Sequence, residues 1–117
     1  MLLQAAESGG KFEYIPNLRT TESECTEGVI KVIQGDRNGV KQLKLKAGDL
    51  QFFLGRFSLH RVTENTGNID RLLLIQSFAE KAGMIGSMYR VQVLYGKIAK
   101  IHKVHEHDKN HTDELLD

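Results

Sequence analysis

The run Gly48-Asp49-Leu50-Gln51-Phe52-Phe53-Leu54-Gly55-Arg56-Phe57-Ser58-Leu59-His60-Arg61-Val62-Thr63 decides how this chain is read. It opens on a turn, Ala47-Gly48-Asp49, and launches an apolar strand over Leu50 to Leu54. It breaks at Gly55-Arg56 and resumes as a second strand from Ser58 to Glu64, centred on His60 and Val62. Asn65-Thr66-Gly67-Asn68 is a strong turn signal. Beyond it, Arg71 to Phe78 is mostly apolar (Leu72, Leu73, Leu74, Ile75), the pattern of a buried strand. A hairpin joining the last two strands would put His60 and Arg71 on neighbouring strands, both facing one barrel mouth. A neutral imidazole is a good ligand for iron or another borderline metal. A guanidinium somewhat deeper clamps a carboxylate through two parallel hydrogen bonds. Together they make half of a site for a metal and an anionic co-substrate.

Upstream of that run, Val40 to Lys46 alternates, with Val40, Leu43 and Leu45 as the expected inward set. Thr21 and Glu24 have the spacing of a capping box, and Cys25, Val29, Val32 and Ile33 follow at helical intervals up to Gly35. A helix is therefore expected from about Glu22 to Gln34. Gly9-Gly10 is a turn, and Lys11 to Ile15 alternates as a half-buried strand that Pro16-Asn17 ends. Leu2-Leu3 reads like the end of a strand. Downstream, Met84, Met88, Val91 and Tyr95 return to helical spacing, closed by Gly96. From Lys100 the chain is polar and carries His102, His105, His107 and His111 among acids. Residues 1–99 are expected to form one β domain with two helices, and residues 100–117 a polar tail.

The 117 residues suffice for one domain with a modest core. Sixteen basic against fifteen acidic side chains leave a net charge of +1, which gives no support for a nucleic-acid or membrane-surface partner. No apolar run approaches the roughly 20 residues a bilayer needs. The N-terminal residues show no signal-peptide pattern. The single cysteine, Cys25, excludes an internal disulfide, fits a reducing cytoplasm, and reads as a small core residue.

The segment Gly55-Arg56-Phe57-Ser58-Leu59-His60-Arg61-Val62-Thr63 resembles the distal-histidine region of iron(II)/2-oxoglutarate-dependent oxygenases, in particular a small bacterial subgroup reading Gly-Arg-x-Ser-Leu-His-Arg-Val-Thr. Arg71, eleven residues after His60, falls where that superfamily places the arginine that binds the 2-oxoglutarate tail. Gly9-Gly10-Lys11-Phe12-Glu13-Tyr14 is similar to the Gly-Gly strand after the family's first metal motif, and Tyr89-Arg90 through Lys97 to its closing helix. The resemblance thus covers residues 1 to 97. It implies a double-stranded β-helix (cupin-like, jelly-roll), with His60 as an iron ligand and Arg71 holding 2-oxoglutarate. Arg56 and Ser58 would line the same opening.

The family's iron needs two histidines and a carboxylate, and its first motif, His-x-Asp or His-x-Glu, precedes the Gly-Gly strand. This chain has no histidine before His60. The expectation is a C-terminal half, a partial β-helix completed by dimerisation near Leu2, Leu3, Phe12 and Tyr14. In isolation it would carry no catalytic residue and hold no cofactor. Iron(II) and 2-oxoglutarate would enter only where the ligand set is completed. The leading functional expectation is a non-catalytic, self-associating domain that binds itself or a small anionic ligand. The second is a working hydroxylase whose missing ligands lie in a longer chain or a partner, and the third is a protein-interaction module. Blander roles stay open for each residue. His60 would serve as a core histidine bonded to a carbonyl, and Arg71 as an ion-pair partner of Asp49, Glu64 or Asp70. Arg56 would be a strand-end arginine and Ser58 a turn hydroxyl. Glu13 and Asp49 are the nearest candidates for substitute carboxylate ligands, although Asp49 reads more simply as a turn-former and Glu13 belongs to a motif that is not a ligand in the family. The tail pairs His102/His105 and His107/His111 would chelate a metal only on a helix, and a solvated polar tail is the favoured expectation.

Overall fold

The computed structural model describes residues 1–79, 82–104 and 115. The contacts divide the chain into two units, Met1–Gln76 and Ser77–Asp117. The first is α+β, with five short antiparallel strands in two sheets: β1 (Leu2–Gln4), β2 (Phe12–Ile15), β3 (Lys41–Leu43), β4 (Leu59–Val62) and β5 (Leu72–Leu73). One sheet has the order β3-β2-β4 and the other pairs β1 with β5.

Central strand β2 fixes the geometry. Its register sets Phe12 opposite Leu43 and Val62, Glu13 opposite Gln42 and Arg61, and Tyr14 opposite Lys41 and His60. Successive side chains alternate across a sheet, so Phe12, Tyr14, His60, Leu43 and Val62 share one face and Glu13, Arg61 and Gln42 the other. Phe12 is the buried centre of the first face, at 7% exposure, which stabilises by about 1.5–3 kcal/mol. Val40, Leu43 and Leu45 are half-buried while Lys41, Gln42, Lys44 and Lys46 are exposed, the alternation expected of them.

Glycines carry the join between β2 and β4. Gly9 (φ +71) and Gly10 (φ +58) turn in the left-handed region, where other residues are strained. A Cβ on Gly9 would stand 1.9 Å from the Glu64 carbonyl oxygen. That approach lets the Gly10 amide donate to Glu64 at 3.0 Å, Thr66 to Ser8 at 3.0 Å and Thr63 to Lys11 at 2.9 Å. The 63–66 segment is thereby zipped onto 8–11.

Several expectations are corrected. The predicted hairpin between the His60 strand and the Arg71 strand does not form: β4 pairs with β2, and β5 with β1. The Asn65 turn is present, its carboxamide accepting from Gly67 and donating to Ile69. Because Asn65 is bridged to Gly9, β4 stays with the β2 side and the chain after the turn crosses to β1. Leu50 to Leu54 is not a strand. Arg71 to Phe78 contributes only Leu72–Leu73, since its partner β1 is three residues long and its register shifts between Leu2 and Gln4. Leu2 is 3% exposed, and its amide and carbonyl bond Asp49 and Gly48, so β1 is held on both sides. Leu2 and Phe12 are thus interior to the chain, and β2 has both edges filled. Of the other two residues expected near a join, Leu3 is exposed and Tyr14 half-buried.

Helix α1 (Thr26–Ile33) is shorter than the expected 22–34. Thr21 and Glu24 form no capping box: Thr20 and Ser23 bridge, Glu24 pairs with Arg19, and Cys25 enters the helix from the left-handed region (φ 48). Gly35 ends the helix as expected, its amide donating to Val32 at 3.1 Å. In the second unit, α2 (Met88–Tyr95) is capped by the Ser87 hydroxyl, which accepts from Arg90, and closes on left-handed Gly96. A further single turn, α3, spans Lys100–Val104. His105, His107 and His111, and the side chain of His102, lie outside the described residues, and so do the chelating pairs expected of the tail. Among the described residues no helix is long and apolar enough to cross a membrane.

Candidate functional site around His60 and Arg71

The β2–β4 register puts His60 beside the Phe12 ring, with centroids 5.9 Å apart. Phe53, from the irregular segment before β4, meets His60 edge-on at 4.8 Å and Phe12 at 5.2 Å. Such aromatic contacts add about 0.5–1.5 kcal/mol each beyond area burial. Gly55 makes room for them, because a Cβ there would meet Phe53 at 3.2 Å and His60 at 3.6 Å. The turn is held by the amides of Phe57 and Ser58, both donating to the Leu54 carbonyl.

Within that frame the His60 Nδ1 lies 2.8 Å from the Ser58 carbonyl oxygen. A carbonyl only accepts, so Nδ1 carries the proton and Nε2 keeps the bare lone pair in the neutral ring. Metal-binding histidines use this same tautomeric lock; it equally describes a structural histidine satisfied by its own turn. Ser58 is buried at 7% exposure and contributes its backbone carbonyl to His60. Arg56 is half-buried in the same turn.

Arg71 immediately precedes β5. Its side chain runs along Gly10, where a Cβ would fall 3.2 Å from the Arg71 Cδ. It borders a cavity of about 440 Å³ whose walls include Leu2, Lys11, Phe12 and Leu43. Phe12 is common to both surroundings: its ring packs on His60, and it lines the same cavity as Arg71. His60 does not line that cavity. The two residues are not merged into a single pocket.

The substitute carboxylates are engaged elsewhere. Asp49 accepts from the Lys46 amide at 2.7 Å, closing its own turn. Glu13 lies on the opposite sheet face, where its Oε2 accepts from Arg61 Nε at 2.9 Å and from Arg37 Nη2. The hydrogen bond from Arg37, reinforced by that from Arg61, holds the Glu13 carboxyl below the usual carboxylate range. This ion-pair hub was not legible in the sequence. The Glu13–Arg61 half follows once the strand register is known, but Arg37 arrives from a loop after α1 and gives no local signal.

A ferrous site of the oxygenase type takes three protein donors. Among the described residues no three His, Cys, Asp or Glu side chains gather closely enough to hold a metal ion together, so they do not by themselves fit such a centre. No protein-family model matches this chain, and the searches of curated proteins and of solved structures also gave no match. The functional reading therefore rests on the residues themselves.

Proposed function

We propose that this chain is an oxygenase-type β-domain that carries one side of an iron/2-oxoglutarate site, is not catalytic alone, and associates with a second copy of itself. The partial double-stranded β-helix belongs to this proposal. The observation that carries it is the setting of His60: a tautomer-locked imidazole on the same sheet face as Phe12, with aromatic carbon rather than further donors against its ring. One imidazole binds ferrous iron too weakly to assemble a centre. Arg71, in a cavity shared with Lys11 and Phe12, suits a small carboxylate.

Self-association is supported by apolar surface. Leu50 and Ile75 are 61% and 75% exposed, and Leu54, Leu72 and Leu74 are also exposed. Among the described residues no strand pairs with the outer edges of β3, β4 or β5. Open edges beside apolar residues favour a further strand or sheet from another molecule. The bond from Nδ1 to the Ser58 carbonyl favours a second reading, in which Nε2 is kept ready for iron whose other ligands come from a longer chain or a partner.

Two measurements test the proposal together. Incubation of the purified chain with iron(II), ascorbate and 2-oxoglutarate is expected to give no succinate above the protein-free rate. Sedimentation is expected to give a mass that rises with concentration. Turnover abolished by His60→Ala would favour the second reading, and a concentration-independent monomer would remove self-association.

A further inference from the structure

A second cavity, of about 310 Å³, lies between the β3-β2-β4 sheet and α1, with Tyr14 and His60 among its lining residues. Ile15, Val32, Val40 and Leu59 form its apolar wall. Glu13, Arg37 and Arg61 also line it. Two guanidiniums share one carboxylate oxygen there, so this group carries one positive charge in excess. Binding sites for small molecules are apolar concavities of about this volume with a few polar groups that fix orientation. At roughly 30 Å³ per water-sized volume, the space equals about ten such volumes, the size of a ligand of eight to ten heavy atoms.

We propose that this cavity is a binding site for a small amphiphilic monocarboxylate, its chain among Ile15, Val32, Val40 and Leu59 and its head on Arg37 and Arg61. The structural role of the Glu13 hub, pinning the loop after α1 to the sheet, needs only enough positive charge to neutralise Glu13. The second guanidinium leaves a surplus, and an arginine fork presents several donors in the plane that a carboxylate matches. A neutral chain of equal length would fill the wall and leave the charge uncompensated. The proposal does not need the oxygenase reading: His60 borders the cavity, but the contacts proposed are to Arg37, Arg61 and the four apolar side chains, and Arg71 is not among its lining residues.

Octanoate and 1-octanol, titrated into the ¹⁵N-labelled full chain, form the test. Saturable octanoate binding is expected, with amide shifts at Ile15, Val32 and Val40 and at least tenfold weaker binding of octanol. Arg61→Gln is expected to erase that preference, and Val40→Trp, which fills the cavity, to abolish binding of both. Equal affinity for octanoate and octanol would overturn the proposal. So would shifts confined to the exposed apolar run at Leu72–Ile75, or no saturation in the low-millimolar range. Should either variant lose its folded spectrum, the octanoate-to-octanol ratio and the shift map of the unmutated chain decide the question alone.

Discussion

Replacing Gly9 with alanine probes the junction on which the whole His60–Arg71 region is built. The residue sits at φ +71, and a Cβ there would lie 1.9 Å from the Glu64 carbonyl oxygen. An ordinary contact between heavy atoms is about 3.5 Å, so the 8–11 and 63–66 segments would separate by roughly 1.5 Å. The left-handed conformation itself costs an alanine about 1–2 kcal/mol. Opening the junction adds the loss of the Gly10-to-Glu64 and Thr66-to-Ser8 hydrogen bonds, each worth about 1 kcal/mol net. The expected destabilisation is therefore about 3–4 kcal/mol. Gly48→Ala is the control: its φ is +94, and a Cβ there has nothing within 4 Å, so it should pay only the conformational cost of about 1–2 kcal/mol. Urea unfolding of both variants at one protomer concentration, which holds any self-association constant, should separate them by about 2 kcal/mol. Equal destabilisation within about 0.5 kcal/mol would refute the argument, because the close approach of backbone to backbone would then carry no energy.

Two further outcomes follow from the site. Glu13 is held below its usual pKa by Arg37 first and Arg61 second, so its contribution is fully present above the unfolded value near 4.5 and is lost as pH falls through the lower folded value. The urea midpoint of the native chain should therefore drop more steeply below pH 4.5 than that of Glu13→Gln, and parallel acid limbs would refute the hub. For His60, long-range ¹⁵N correlation spectra of the neutral ring should show the proton on Nδ1, as the Ser58 carbonyl requires; an Nε2-protonated ring would remove the reason for treating Nε2 as the donor.

Local pattern was legible where it needed no distant partner. The alternation at Phe12–Ile15, the Asn65 turn and the glycine stops at Gly35 and Gly96 all follow from side-chain period and backbone freedom. Strand partnership was not legible. A period of two fixes which residues share a face but not which strand lies alongside. The His60 strand therefore read as a hairpin with the Arg71 strand, although the Gly9-Gly10 junction commits it to β2. Leu50 to Leu54 shows the converse: an apolar run has strand character only where a neighbour supplies hydrogen bonds, and here Phe53 instead packs its ring on Phe12 and His60. His60 and Arg71 were singled out from sequence, but that Arg71 lines a cavity His60 does not line was not legible, because it depends on which strand is central.

The central claim of the proposal is that, among the described residues, iron meets a single imidazole, that of His60. Cobalt(II), whose visible spectrum reports the number and kind of its ligands, can be titrated into the native chain and into His60→Ala with the 102–111 histidines replaced in both. The account predicts weak binding with a spectrum close to that of the hydrated ion. Tight, stoichiometric binding with a strong low-symmetry spectrum that vanishes in His60→Ala would contradict it, since His60 would then be one of several protein donors.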